Sequence, residues 1–244
     1  MKKIKLVQAI CSLFPPIIAQ RLRNSLYPRS SISLKNFPFS RKSITGSILK
    51  SNASDFHGYN FLFNGYYDWR NIIIARSVYK CYKGDLIEVG ANIGTETVSF
   101  IDIVGDKGKV HAFEPLPDNI EALNQFKSHE NFILNPIALS NKQAVQYFQV
   151  PPKSASGMGK ILSEEFIEQN ETIQIKSDTL DNYAEEINTT QFISIDTEGH
   201  EPNVLEGAIQ LIKKDRPIIV IEVSPKLLKK YSNSSPHKIL DFFI

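Results

Sequence analysis

Leu86-Ile87-Glu88-Val89-Gly90-Ala91-Asn92-Ile93-Gly94 is the stretch whose reading decides the fold. Leu86 to Val89 is a short apolar run of the kind that makes a buried strand, with Glu88 near its end as the single charge. A Gly-x-Asn-x-Gly turn follows, and Thr95 to Ile101 reads as the start of a helix. Strand, glycine turn and helix in this order form the first half of a nucleotide-binding βαβ unit. Gly90 and Gly94 let backbone approach a ligand without a Cβ in the way, and Asn92 is among the few other residues that tolerate a positive φ. Alone the motif is weak, because tight βα turns need glycine for any purpose.

Its company adds information. About one βαβ repeat further on stands Val110-His111-Ala112-Phe113-Glu114-Pro115, a second strand ending in an acid. A carboxylate there can accept hydrogen bonds from both hydroxyls of an adenosine ribose, whether in NAD or in S-adenosylmethionine (SAM). A dinucleotide site needs G-x-G-x-x-G, which aims a helix N-terminus at a pyrophosphate. Here the spacing is G-x-x-x-G, with Glu88 two residues before the first glycine. That charge repels a pyrophosphate and attracts a cationic sulfonium ligand. SAM is the better fit.

The chain has 244 residues, 42% hydrophobic and 22% charged, enough for one domain with a sizeable core and some additions. Its 28 basic and 26 acidic residues give a net charge of +2, which lends nucleic-acid binding no support. Two cysteines, Cys11 and Cys81, are too few for a disulfide framework and suit a reduced, cytoplasmic protein.

Residues 1–60 read as an N-terminal extension. Met1 to Arg29 is basic and amphipathic, interrupted by Pro15-Pro16, and too short in its apolar run to span a bilayer. A helix docked on the domain is the simpler reading; an interfacial helix touching a membrane is the sharper one. Ser30 to Asn60 reads as an irregular cap near the site. From residue 61 to 244 the pattern is that of the main domain. Phe61 to Arg70 is dense in aromatics, which serves packing or, through Tyr67 and Trp69, a platform on which a sugar stacks. Asn71 to Tyr82 reads as a helix. Further strands are expected at Phe132–Leu134, Ala144–Val150, Thr172–Lys176, Gln191–Asp196 and Pro217–Glu222. Helices are expected at Pro117–Phe126 and from Pro202 to Lys214, with a turn at Ala138–Asn141 and a mobile surface loop at Pro151–Asn170. Alternation of this kind means a doubly wound, mostly parallel α/β sheet of Rossmann-like type, with ligands at the strand C-termini. Glu88, Glu114, Asp196 and Glu222 all lie at or near such ends.

At these residues the chain resembles the FkbM family of SAM-dependent methyltransferases. The resemblance runs through Glu88 to Gly94, Ala112-Phe113-Glu114-Pro115, Ala138-Leu139-Ser140, Thr179-Leu180-Asp181, Ile195 to Glu201, Val204 to Ala208 and Pro217 to Glu222, in family order. It implies a class I methyltransferase fold and O-methyl transfer to a hydroxyl, on a sugar, polysaccharide or natural product. It also implies that Glu88, Gly90 and Asn92 meet the methionine part of SAM and Glu114 its ribose. Ala91, Gly94, Pro115, Ser140 and Asp196 complete the expected cofactor contacts. Two departures stand out. Glu88 replaces the usual Asp, and the chain stops at Ile244, where family members add two further strands. An open sheet edge, and a homodimer formed through it, are expected from that ending.

For the chemistry, Asp196 is the first candidate as base or orienter of the acceptor, Glu198 and His200 the next, and Glu222 joins Tyr67 and Trp69 on the acceptor side. Charge complementarity at a helix N-terminus is the plainer account of Glu198 and Glu201. Asp196 beside a sulfonium is expected to stay ionised, and His200 to titrate near neutrality. No metal ligands are assigned, and the sequence leaves metal use open. The rival classes are a non-catalytic SAM-binding or relic protein and a nicotinamide-dependent oxidoreductase. The latter is disfavoured by the glycine spacing and by the lack of a Tyr-x-x-x-Lys pair.

Overall fold

The computed structural model describes residues 2–31, 36–169 and 171–244. Two helices, α1 (Lys2–Cys11) and α2 (Pro16–Leu26), open the chain as a hairpin. Pro16 cannot continue α1, but its fixed φ suits the first turn of α2. Strands β1 (Pro38–Lys42) and β2 (Ile48–Asn52) then pair antiparallel. Helix α3 (Phe56–Asn64) is capped by Asp55, whose carboxylate accepts from the His57 and Gly58 N–H groups, and α4 (Trp69–Cys81) by Asp68 in the same way.

From there strands and helices alternate: β3 (Asp85–Val89), α5 (Thr97–Val104), β4 (Val110–Phe113), α6 (Pro117–Leu123) and β5 (Phe132–Asn135). A side sheet follows, made of β6 (Ala138–Leu139), β7 (Ala144–Gln149), β8 (Lys160–Leu162) and β9 (Thr172–Asp178). The alternation resumes with β10 (Thr190–Ile195), α7 (Glu201–Glu206), α8 (Ile209–Asp215), β11 (Ile218–Ile221), α9 (Pro225–Tyr231) and α10 (Pro236–Asp241). Five parallel strands form the main sheet in the order β11-β10-β3-β4-β5. The chain builds from β3 outward to β5, then returns to the other side of β3. The order therefore reverses between β3 and β10, and the crevice above that point is where such sheets hold ligands. This is the expected Rossmann-like fold. Among the described residues no strand pairs with the outer edge of β11.

Successive side chains on a strand point to opposite faces, and the core splits accordingly. Leu86, Val110 and Phe192 pack with Val98 and Phe100 of α5, whereas Ile87, Ile193 and Ile195 pack with Val204, Leu205 and Leu211. The α1–α2 hairpin buries Ile4, Val7, Cys11 and Ala19 against Tyr59, Leu62 and Phe63, as the docked-helix reading expects.

Several details differ from the sequence expectation. The division at residue 60 falls inside α3, where Tyr59 and Phe63 face the hairpin while Phe61 joins the main core. Ala138-Leu139 forms a short strand pairing parallel with β9 rather than a turn. The stretch read as a mobile loop contains β8 and is tied down: the Phe56 N–H donates to the Ser154 carbonyl and the Ser156 N–H to the Asp55 carboxylate. Asn170 at its end, and residues 32–35 of the irregular cap, lie outside the described residues. The helix after Pro202 breaks into α7 and α8 at Gly207, where an added Cβ would sit 2.0 Å from the Ser140 carbonyl oxygen.

Candidate active site

The sheet register sets the site. Val89 pairs with Phe113 on one side and Ile195 on the other, and Ile195 pairs with Ile221. One row further, at the strand ends, stand Glu114, Gly90, Asp196 and Glu222, side by side across four strands. The ladder extends into this row, because the Asp196 N–H donates to the Val89 carbonyl and the Glu222 N–H to the Ile195 carbonyl. Strands lie about 4.8 Å apart, so Glu114 and Asp196 are roughly 10 Å apart across the gap left by Gly90. Gly90 has φ +87°, and a Cβ on it would meet the Asp196 carbonyl oxygen at 2.0 Å. No side chain fits there.

A cavity of about 900 Å³ rises above this row. On the β4 side, Glu114 Oε2 accepts from the Asn92 N–H at 2.8 Å and Oε1 from the Leu116 N–H at 2.9 Å. Both oxygens keep further lone pairs for a ligand. Glu88 is buried beneath the turn and accepts from the Thr97 hydroxyl at 2.7 Å. Burial pushes Glu88 well above the usual carboxylate range and raises Glu114, while hydrogen bonds oppose both shifts. Asn92 sits at φ 50°, as its place in the turn suggests, and its Oδ1 is a buried acceptor without a partner among the described residues.

On the β10 side, carboxylate oxygens of Asp196, Glu198 and Glu222 all lie within 4.8 Å of one another, a spacing that a divalent cation could bridge. Glu198 is held at φ 55°, an uncommon conformation for a non-glycine residue. Burial, then the hydrogen bond and charge of Glu222, push Asp196 well above its ordinary range. The expectation that Asp196 stays ionised considered the sulfonium and left out burial and the neighbouring Glu222, both of which favour its protonated form. His200 lines the cavity, but its Nε2 lies 2.9 Å from the Ser140 hydroxyl and its ring is buried. Burial lowers it to about 4, so it is neutral at pH 7 instead of titrating there. Glu201 accepts from the Thr197 and Gly199 N–H groups and braces the loop.

These landmarks coincide with a known family. The model of the methyltransferase FkbM domain matches residues 88–243, beginning at Glu88 and running past α10. The chain belongs to the FkbM methyltransferase family. A curated relative, the hexuronic acid methyltransferase AglP of Haloferax volcanii, is 30% identical over 139 residues. That alignment covers 55% of this chain and 54% of the relative, so the chain matches about half of the relative's length. Among solved structures, methyltransferase FkbM from Methylobacillus flagellatus aligns over 84% of this chain and 49% of its own, at 14% identity and a TM-score of 0.41. A fibrillarin/Nop5p complex aligns over 85% of this chain and 84% of that one, at 13% identity and a TM-score of 0.42.

Within the FkbM domain, the expected residues Glu88, Gly90, Ala91, Asn92, Glu114, Pro115, Asp196, Glu198, His200 and Glu222 line one cavity together with Tyr67 and Trp69. Two do not. Gly94, at φ +83°, is packed against Phe126 and Leu123, and Ser140 lies behind His200. Other lining residues escaped the sequence reading. His57 contacts Asn92 Nδ2 through its Nδ1, and its ring lies 4.1 Å from that of Tyr67, edge to face. Glu96 accepts from Asn71 at 3.0 Å, and burial raises it to about 7. The Asp55 cap before His57 was the available signal for where that helix starts; nothing local marked Glu96.

Proposed function

We propose that this chain transfers the methyl group of SAM to a hydroxyl on a sugar or a sugar-bearing natural product. The observation that carries the reading is the row Glu114–Gly90–Asp196–Glu222, an acid-flanked gap at the switch point of the sheet. The residues fit SAM. Glu114 offers two oxygens to ribose hydroxyls, the Gly90–Asn92 backbone and the unpartnered Asn92 Oδ1 suit the amino-acid moiety, and the surrounding acids favour a sulfonium.

When bound, SAM supplies an electrophilic methyl on a positively charged sulfur. Asp196 and Glu222 line the cavity together and would hold the acceptor hydroxyl there. The two carboxyls would orient the acceptor hydroxyl and take up its proton, while bound SAM would supply the methyl group. The cationic sulfonium of bound SAM would favour the ionised carboxylate that this role requires, against the burial and the Glu222 charge that raise Asp196. Tyr67 and Trp69 offer aromatic faces at the same cavity for the ring of a sugar.

The relative's name places a sugar acid among acceptors to try first. The cavity itself argues for an uncharged sugar. Asp68, Glu96, Asp196, Glu198 and Glu222 line it, and Arg70, the one Lys or Arg lining it among the described residues, is paired with Asp68 at 2.5 Å. We place the activity in the cytoplasm, where the exposed thiol of Cys81 stays reduced.

The test is a panel of neutral, amino and uronic-acid glycosides incubated with the protein and methyl-labelled SAM. Base-stable label on a neutral sugar is the expected result, since an ether resists alkali. Base-labile label confined to the uronic acid would mean a carboxyl target and overturn the hydroxyl assignment.

A further inference from the structure

The first 54 residues hold ten of the chain's 28 basic residues and none of its 26 acidic ones, so the remainder carries 18 basic against 26 acidic. Four of those cations, Lys2, Lys3, Lys5 and Arg21, are exposed on the α1–α2 hairpin. The hairpin docks on α3 with one face. Its other face is also apolar: Leu6, Leu13, Phe14, Ile17 and Ile18 are 61%, 79%, 43%, 61% and 46% exposed.

Spacing explains how a short helix carries two apolar stripes. Ile4 and Cys11 lie two turns apart on the docked side of α1. Leu6, two positions after Ile4 and about 200° around the axis, faces the other way, and Leu13 and Phe14 continue that exposed face in the turn after α1. The inner stripe packs against protein, and the outer one has no partner among the described residues. A bare apolar stripe flanked by cations, with no acid in its own segment, is the pattern of a helix lying in a membrane interface. No helix of the described residues is long and apolar enough to cross a bilayer, so the contact would be peripheral.

We infer that the outer face of the α1–α2 hairpin docks on an anionic phospholipid surface. Charge complementarity selects that occupant over a neutral bilayer or a second copy, since another hairpin would bring like charges together. The turn of the hairpin is also a wall of the cavity, which Pro16, Ile17 and Gln20 line. Docking therefore holds the cavity mouth at the lipid surface, where an acceptor carried on a membrane lipid would enter. This last consequence rests on the methyl-transfer reading; the docking does not.

The test is co-flotation of the full chain with vesicles of phosphatidylcholine, with and without a phosphatidylglycerol fraction. The account predicts binding at least about tenfold stronger to the anionic vesicles, because both the stripe and the cations contribute. Two variants separate the terms: Leu6→Gln/Leu13→Gln/Phe14→Ser/Ile18→Gln removes the stripe, and Lys2→Ser/Lys3→Ser/Lys5→Ser/Arg21→Ser the charge. None of these residues lines the cavity, so S-adenosylhomocysteine affinity serves as the check on folding. Each variant is expected to lose flotation while keeping that affinity. Failure of the parent chain to float, or flotation retained by both variants, overturns the inference. So does a dimer that the stripe variant dissociates without any vesicle binding. Vesicle binding without S-adenosylhomocysteine binding would leave docking intact and remove the methyl-transfer reading instead.

Discussion

The floor and the roof of the cavity are built by different means. The floor is the end row of a parallel sheet, in which backbone register alone sets Glu114, Gly90, Asp196 and Glu222 side by side. The roof comes from the N-terminal part of the chain: His57 at the start of α3, Tyr67 and Trp69 around the Asp68 cap, and the α1–α2 turn. The floor is rigid and acidic, suited to a cofactor and a proton. The roof is aromatic and held by caps and side-chain contacts, suited to choosing an acceptor. Substitutions on the two should therefore fail in different ways.

The largest effect belongs to the floor. Asp196→Asn should lower kcat by about 10²-fold or more, with binding of the methyl donor largely kept, because positioning or proton transfer is lost. Near-normal turnover on a working acceptor would move the role to Glu198 or Glu222. The roof should show the opposite split. Trp69→Ala, which removes the chain's one tryptophan, should raise the acceptor KM by about tenfold with cofactor affinity unchanged, as expected for a lost stacking contact. Equal loss of cofactor affinity would erase the division between floor and roof.

A smaller effect is expected where the two meet. Glu96 is raised from 4.5 to about 7, mainly by burial. The folded state thus holds this proton more tightly than the unfolded one, and its contribution to stability is fully present below pH 4.5. As pH rises through 7 that contribution is lost. Glu96→Gln keeps a partner for Asn71 and removes the titration. Its melting temperature should exceed the parent's at pH 8, with the gap closing by pH 5. A gap independent of pH would mean that Glu96 titrates as it does in the unfolded chain.

The same division explains what could be read from the sequence. The floor was legible because a buried strand announces itself by apolar runs, and an acid after such a run must fall at the strand's end. Glu114, Asp196 and Glu222 follow from that rule, whereas Glu88 stands one residue inside the end of β3. The shifts of Asp196 and His200 do not follow from it, since burial and then Glu222, across the β10–β11 pairing, raise Asp196, and His200 is enclosed beside Ser140 of the β6 end. The roof was legible as a cap but not as residues. His57 reaches the cavity only because α3 folds back onto the sheet, and no local pattern marks that return; Glu96 sits just after the glycine turn, where its partner Asn71 comes from α4. The break at Gly207 is similar: apolar spacing continues through it, and the close approach of the Ser140 carbonyl, which leaves no room for a side chain there, comes from a distant segment.

The central claim is that the floor holds SAM, with Glu114 on its ribose. Calorimetric titration of S-adenosylhomocysteine into the parent chain and into Glu114→Ala tests it most directly. The account predicts a dissociation constant on the order of 1 μM for the parent, weakened by about 1–3 kcal/mol in the variant through two lost ribose hydrogen bonds. No binding by the parent, or the same affinity in Glu114→Ala, would contradict it.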